Sequence, residues 1–177
     1  MTIIDIKRAI TLRRNYYITL TDIAFIDGYA LGVTNYIPGS AINNFYKNRF
    51  KIIPNIAVLG LNPHCETKSK INEENKVIIP AIKKLKDRKI KVSGPFPADT
   101  FFLKKNIKKF NSVLGMYHDQ VLTPFKTLFG FNASNITLGL PFLRISVDHG
   151  PNENMIGKNK SNSKSLENIF SLISSVK

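Results

Sequence analysis

After Pro54 the chain alternates short apolar runs with amphipathic stretches, and that alternation restricts it to a layered α/β domain. Residues 56–61, Ile-Ala-Val-Leu-Gly-Leu, form a continuous apolar run. This is the pattern of a strand buried on both faces of a parallel sheet. A polar loop over 62–70 follows. Asn72 is placed to cap a helix whose first turn carries Glu73 and Glu74. Val77, Ile78, Ala81, Ile82 and Leu85 make its apolar stripe, and Pro80 within it predicts a kink. Residues 90–93 read as a second strand ended by Gly94-Pro95. A helix is expected over 98–110, a buried strand over 112–116, and a proline-containing helix over 119–128. Residues 135–140 and 142–147 read as two more strands, separated by the turn Gly139-Leu140-Pro141. A last helix over 164–176 is expected to bury Leu166, Ile169, Phe170 and Ile173.

Residues 1–53 carry weak, mixed signals, so the organisation read from the sequence is an N-terminal segment, 1–53, and an α/β part, 54–177. The 177 residues suffice for one domain, and a hydrophobic fraction of 43% is enough for a core. Cys65 is the one cysteine, which excludes an intramolecular disulfide and fits a reducing cytoplasm. Residues 1–14 lack the apolar core and cleavage site of a secretory signal. The most apolar long window, 18–37, contains Asp22 and Asp27, which argues against a membrane span.

The net charge of +14 admits an anionic partner, either nucleic acid or a phosphorylated metabolite. The lysines are scattered, however, over expected solvated faces: Lys83, Lys84, Lys86, Lys104, Lys105, Lys108 and Lys109. No aromatic-basic pattern of a nucleic-acid module accompanies them. Compositional bias explains most of the charge, leaving a few cations for phosphate.

The three histidines, His64, His118 and His149, each follow an expected strand within a few residues. Imidazoles converging from strand ends can hold a divalent metal, although isolated histidines are more often structural. Lys126, Asn135 and Arg144 fall in similar places. An ammonium, an amide and a guanidinium fork suit a phosphate or carboxylate; the plainer alternative is a solvated lysine and an ordinary ion pair. No glycine-rich nucleotide motif is present.

Five ordered segments are more specific than any spacing. They are Val58-Leu59-Gly60-Leu61-Asn62-Pro63-His64, Gly94-Pro95-Phe96-Pro97-Ala98-Asp99-Thr100, Met116-Tyr117-His118-Asp119-Gln120, the run 135–144, and Val147-Asp148-His149-Gly150. Together they resemble the 4-hydroxythreonine-4-phosphate dehydrogenase family over its C-terminal half, from about Ile56 onward. The resemblance implies a three-layer α/β/α fold like that of isocitrate and isopropylmalate dehydrogenases, here truncated at the N-terminus. It implies a homodimer in which the partner subunit completes the active site. It also implies NAD- and metal-dependent oxidation of 4-phosphohydroxy-L-threonine followed by decarboxylation, in pyridoxal phosphate (vitamin B6) synthesis. By motif, His64 and His118 match two of three metal ligands, the metal being zinc, magnesium, cobalt or manganese. Lys126, Asn135 and Arg144 match substrate-binding residues. Asp99 and Asp119 match acidic catalytic positions, and Asp148 and His149 the cofactor region. His149 is not a metal ligand in the family, so a three-histidine site is not implied.

Departures accompany the resemblance. Family members are longer, and the third metal histidine and a substrate-binding His-Thr pair have no counterpart here. Residues 5–11 match the family faintly, and 12–40 do not match it. The glycine-rich stretch after Asn-Pro-His is replaced by Cys65-Glu66-Thr67-Lys68, and Pro-Asn-Glu-Asn-Met follows Gly150. The expectation is weak or absent catalysis by this chain alone, with a separately encoded N-terminal half as a further partner. The alternatives are a dehydrogenase for another phosphorylated hydroxy acid and a non-catalytic fragment that dimerises and binds phosphate. Nucleic acid and membrane are not expected partners.

Overall fold

The computed structural model describes residues 2–5, 17–22, 38–65, 73–130, 133–138 and 140–174. Its elements in chain order are β1 (Thr2–Asp5), β2 (Tyr17–Asp22), α1 (Pro38–Phe50), β3 (Ile56–Leu59), α2 (Ile79–Asp87), β4 (Val92–Phe96), α3 (Ala98–Phe101), α4 (Lys104–Ile107), β5 (Ser112–Leu114), α5 (His118–Phe129), β6 (Ala133–Leu138), β7 (Arg144–Val147) and α6 (Lys164–Ser174). A π-helical turn, Glu74–Ile78, leads into α2, and a 3-10 turn, Glu153–Met155, precedes α6. The expected cap at Asn72, loop residues 66–70, Gly139, the faint match over 6–11 and the helix end at Val176 lie outside the described residues.

The strands form one seven-stranded mixed sheet in the order β4-β3-β5-β1-β2-β6-β7. β3 is parallel to β4 and β5, and β2 is parallel to β6. β1 runs antiparallel to β5 and β2, and β7 antiparallel to β6. Consequently β4, β3, β5, β2 and β6 all end at one edge of the sheet, while β1 and β7 end at the other.

Every residue of β3 is buried. Ile56 and Val58 face a core shared with Ile42 and Tyr46 of α1, Ile82 and Leu85 of α2 and Leu172 of α6. Ala57 and Leu59 face a second core with Phe101, Phe110, Val121 and Phe125. Side chains alternate across a strand, so covering both faces requires an apolar residue at each position. Each fully buried Leu, Ile or Phe contributes roughly 1.5–3 kcal/mol. Elements from before Pro54 share this architecture: β1 and β2 lie inside the sheet, and the Tyr46 hydroxyl of α1 donates to the Asn111 carbonyl at 3.1 Å.

Three local expectations are corrected. β4 does not stop before Gly94-Pro95 but runs through it. It is an edge strand, where a missing N–H is tolerated, and Gly94 (φ 139°) lets it approach Val58 closely. The expected single helix over 98–110 is two short helices broken at Leu103, which is extended. One straight helix would set Phe101 and Phe110 about 180° apart. The break instead lets both rings pack on Phe96, with centroids at 5.5 and 5.3 Å. In α6 the buried residues are Ser165, Asn168, Ile169 and Leu172, whereas Leu166, Phe170 and Ile173 are exposed. The Ser165 hydroxyl donates to the Ala133 carbonyl and accepts the Asp148 N–H at 3.4 Å, which turns the helix's small polar side toward β6 and β7.

Pro80 produces a π turn at the start of α2. The Ile79 N–H bonds the Glu74 carbonyl, and this widened turn leaves room for the proline ring one residue later. No helix among the described residues is long and apolar enough to cross a membrane.

Candidate functional site

β3 delivers a tight loop to the edge where the parallel strands end. There the Asn62 side chain accepts the His64 N–H at 3.0 Å, and the Cys65 N–H bonds the Asn62 carbonyl at 3.0 Å. This is the self-bonded turn that asparagine favours. Glu74 anchors the loop from below: its carboxylate accepts the Asn62 N–H at 2.7 Å. The other oxygen of Glu74 is buried and has no hydrogen-bond partner among the described residues.

The His64 ring meets a carboxylate from the next strand's connection. Its Nδ1 lies 2.8 Å from Oδ2 of Asp99, which β4 and the start of α3 carry to the same edge. The Asp99 N–H also reaches the Pro63 carbonyl at 3.5 Å. β5 ends beside β3 and leads into α5, whose first residue is His118. Its Nδ1 lies 2.6 Å from Oδ1 of Asp119. A carboxylate accepts, so each imidazole donates through Nδ1, which leaves Nε2 as the ring nitrogen that can turn to a metal. Both rings are largely exposed, at 63% and 68%. Gln120, buried in the first turn of α5, donates to the Gly60 carbonyl at 2.7 Å and accepts the Met116 N–H at 2.7 Å.

The cationic residues gather elsewhere. Lys126 lies farther along α5 and donates to the Asp148 carbonyl at 2.9 Å, with the Asp148 carboxylate 3.8 Å away. Asn135 is half-buried on β6, paired across the ladder with Ser146. Arg144 begins β7 opposite Thr137 and donates to its hydroxyl at 2.9 Å. Strand alternation puts Asn135, Thr137 and Arg144 on the face that α5 covers, so the three expected substrate residues share one face. Asp148 and His149 follow β7, which ends at the edge opposite His64 and His118; the His149 ring bonds the Gly150 carbonyl at 3.3 Å.

The nine expected residues therefore form two groups. His64, Asp99, His118 and Asp119 stand after β3, β4 and β5. Lys126, Asn135, Arg144, Asp148 and His149 stand around β6, β7 and the far part of α5. β1 and β2 separate the strands of the two groups, and at ~4.8 Å per strand β5 lies about 14 Å from β6, while Lys126 shares α5 with His118 and Asp119. Among the described residues no three His, Cys, Asp or Glu side chains come together as a metal-holding group. The donor chemistry of the two carboxylate-oriented imidazoles is of a kind that suits a divalent cation.

Two positions were not singled out from the sequence. Glu74 reads there only as a first-turn helix acid. The signal was its spacing, since it shares a helical face with Ile78, Ile82 and Leu85, so its burial is foreshadowed. Gln120 carries no local signal, because its partners are backbone groups of other loops. Burial pushes the Cys65 thiol above the ordinary thiol range; a hydrogen bond to the Gly60 backbone opposes this, and the Glu74 and Asp99 carboxylates add to the rise.

The chain is similar to known proteins in both sequence and fold. A 4-hydroxythreonine-4-phosphate dehydrogenase of Sulfurihydrogenibium sp. is 47% identical over 120 residues, covering 67% of this chain and 37% of the relative. That of Wigglesworthia glossinidia brevipalpis is 48% identical over 134 residues, covering 74% of this chain and 40% of the relative. The crystal structure of 4-hydroxythreonine-4-phosphate dehydrogenase from Klebsiella pneumoniae superposes with a TM-score of 0.69 at 27% identity, over 99% of this chain and 54% of that one. The chain thus spans well under two-thirds of the proteins it resembles. Residues 38–173 match the family described as pyridoxal phosphate biosynthetic protein PdxA, a match that begins at α1, and the chain belongs to that family.

Proposed function

We propose that this chain supplies part of the active site of a metal- and NAD-dependent dehydrogenase, with the isocitrate dehydrogenase-like layering of that class. The reaction is oxidation and decarboxylation of 4-phosphohydroxy-L-threonine to 3-amino-2-oxopropyl phosphate, within cytoplasmic pyridoxal phosphate synthesis. The observation that carries this reading is the pair of imidazoles at neighbouring strand ends, each held through Nδ1 by a carboxylate. When bound, a divalent cation (zinc, magnesium, cobalt or manganese) supplies Lewis acidity toward the substrate hydroxyl, and NAD accepts the hydride.

In this reading His64 and His118 ligate through Nε2, while Asp99 and Asp119 fix the rings and serve as nearby proton acceptors. Lys126 and Arg144 hold the substrate phosphate by charge and Asn135 by its amide, which supplies remote binding energy for positioning. Asp148 and His149 shape the cofactor side. In one chain β5 and β6 lie about 14 Å apart, which sets Asn135 and Arg144 far from the two imidazoles, while Lys126 shares α5 with His118. A homodimer whose partner subunit completes the site belongs to this reading. Among the described residues no three His, Cys, Asp or Glu side chains come together, which supports a requirement for ligands beyond the two imidazoles, so this chain alone is expected to turn over slowly.

Cobalt binding provides the test. The chain should bind Co2+ with a nitrogen-ligand absorption spectrum, and His64→Ala and His118→Ala should each abolish it. NADH formation from the phosphorylated substrate, however slow, should disappear in both variants. Co2+ binding that survives both substitutions would remove the basis of the proposal.

A further inference from the structure

We propose that Thr137 is a positioning residue that aims the Arg144 guanidinium and leaves its charge for a phosphate; this rests on the reading of Arg144 as a ligand of that group. Thr137 and Arg144 are directly opposed in the β6–β7 ladder, so their side chains leave the same face of the sheet. The guanidinium Nη1 donates to the Thr137 hydroxyl at 2.9 Å. Thr137 is 4% exposed, whereas Arg144 is open to solvent. The contact therefore joins a buried, fixed acceptor to a long side chain at the surface.

The ladder alone would not fix that side chain. β7 is an edge strand, and Arg144 is its first residue, after the exposed Phe142 and Leu143. An arginine at such a place keeps its rotamer freedom unless something holds it. Threonine is suited to the task. Branching at Cβ restricts χ1, so the hydroxyl has a set direction, and its oxygen accepts without bringing a charge. A carboxylate in its place would grip the guanidinium but neutralise it. Among the described residues no carboxylate pairs with Arg144. Lys126 differs, since the Asp148 carboxylate lies 3.8 Å from its ammonium. Arg144 is thus the cation of this group whose charge is least spent within the protein. Asn135 stands two residues before Thr137 on the same face, about 7 Å along the strand. A guanidinium pinned at one nitrogen presents its other N–H groups as a fork, and an anion on that fork lies on the same face as the Asn135 amide.

Thr137→Val keeps the branched shape and removes the acceptor, while Thr137→Ser keeps the acceptor. The probe is inorganic phosphate, titrated into the full chain and followed by NMR at the Arg144 Nε–Hε group, which is assigned by its loss in Arg144→Lys. The dissociation constant should rise about tenfold in Thr137→Val and stay within about twofold of the parent in Thr137→Ser, with both thermal midpoints little changed. Without phosphate, 15N relaxation should show an ordered Arg144 Nε in the parent and in Thr137→Ser, and a disordered one in Thr137→Val. Parent-like phosphate binding by Thr137→Val overturns the proposal. So does an Nε equally ordered in all three chains, or equal loss of binding in both variants. A parent chain that binds no phosphate defeats the phosphate reading of Arg144, while the relaxation pattern still decides whether Thr137 positions it. Should Thr137→Val fail to fold, Thr137→Ala serves, and an Arg144 Nε that stays ordered there refutes the positioning role.

Discussion

Gly94→Ala tests whether close strand approach builds the edge that carries Asp99 to His64. Gly94 has φ 139°, and a Cβ there would collide with the Val58 carbonyl oxygen and lie 3.2 Å from the Val58 carbonyl carbon. Two costs combine. An L-residue in that backbone region costs roughly 1–3 kcal/mol. Forcing extra atoms into a packed site costs roughly 1–3 kcal/mol more, here against backbone that has no rotamer to escape through. The sum, about 4 kcal/mol, is a large share of the ~5–15 kcal/mol that stabilises a domain. Two other glycines separate the contributions. Gly130 has φ 61° with nothing within 4 Å, so its alanine variant meets strain alone, ~1–3 kcal/mol. Gly150 also has nothing within 4 Å, and its φ lies outside the left-handed region, so its variant should fall within ~0.5 kcal/mol of the parent. Urea unfolding followed by circular dichroism gives all three. The reasoning is wrong if Gly94→Ala loses no more stability than Gly130→Ala. The functional consequence follows from pairing: Phe96 opposes Leu59, so a displaced β4 carries Asp99 away from His64 and weakens Co2+ binding as well.

Phe125 is fully buried between α5 and the sheet, and Phe125→Ala should cost ~3–5 kcal/mol in urea unfolding. Asp99→Asn should leave the thermal midpoint nearly unchanged but raise the Co2+ dissociation constant about tenfold, because the imidazole loses its carboxylate partner; an unaltered constant would show that Asp99 does not serve His64. The Cys65 thiol is raised by burial, so its alkylation rate should climb with pH through a midpoint above that of the urea-unfolded chain, and a lower midpoint would contradict the burial argument. The Glu167 carboxyl is held below its ordinary range by hydrogen bonds from Ser163 and Lys164. Its NMR titration midpoint should therefore rise in Ser163→Ala; an unmoved midpoint would rule out the serine as the cause.

Much of this protein is legible before folding because the signals are local. Doubly buried β3 announces itself as an unbroken apolar run, the α2 stripe as helical spacing, and the family as five ordered motifs from Val58 to Gly150. Even the two carboxylate-paired histidines lie inside those motifs. What depends on partners distant in sequence was decided by the tertiary structure alone. The rotation of α6, which buries Ser165 and exposes Phe170, follows from a hydroxyl meeting the Ala133 carbonyl, whereas apolar periodicity weighs only side-chain hydrophobicity. The break at Leu103 serves three phenylalanines that one straight helix would scatter. The separation of Asn135, Arg144, Asp148 and His149 from the two histidine-bearing loops arises because β1 and β2, from the segment with the weakest signals, insert between β5 and β6. Strand order is set by which surfaces bury best together, and that is a property of the assembled chain, not of any window within it.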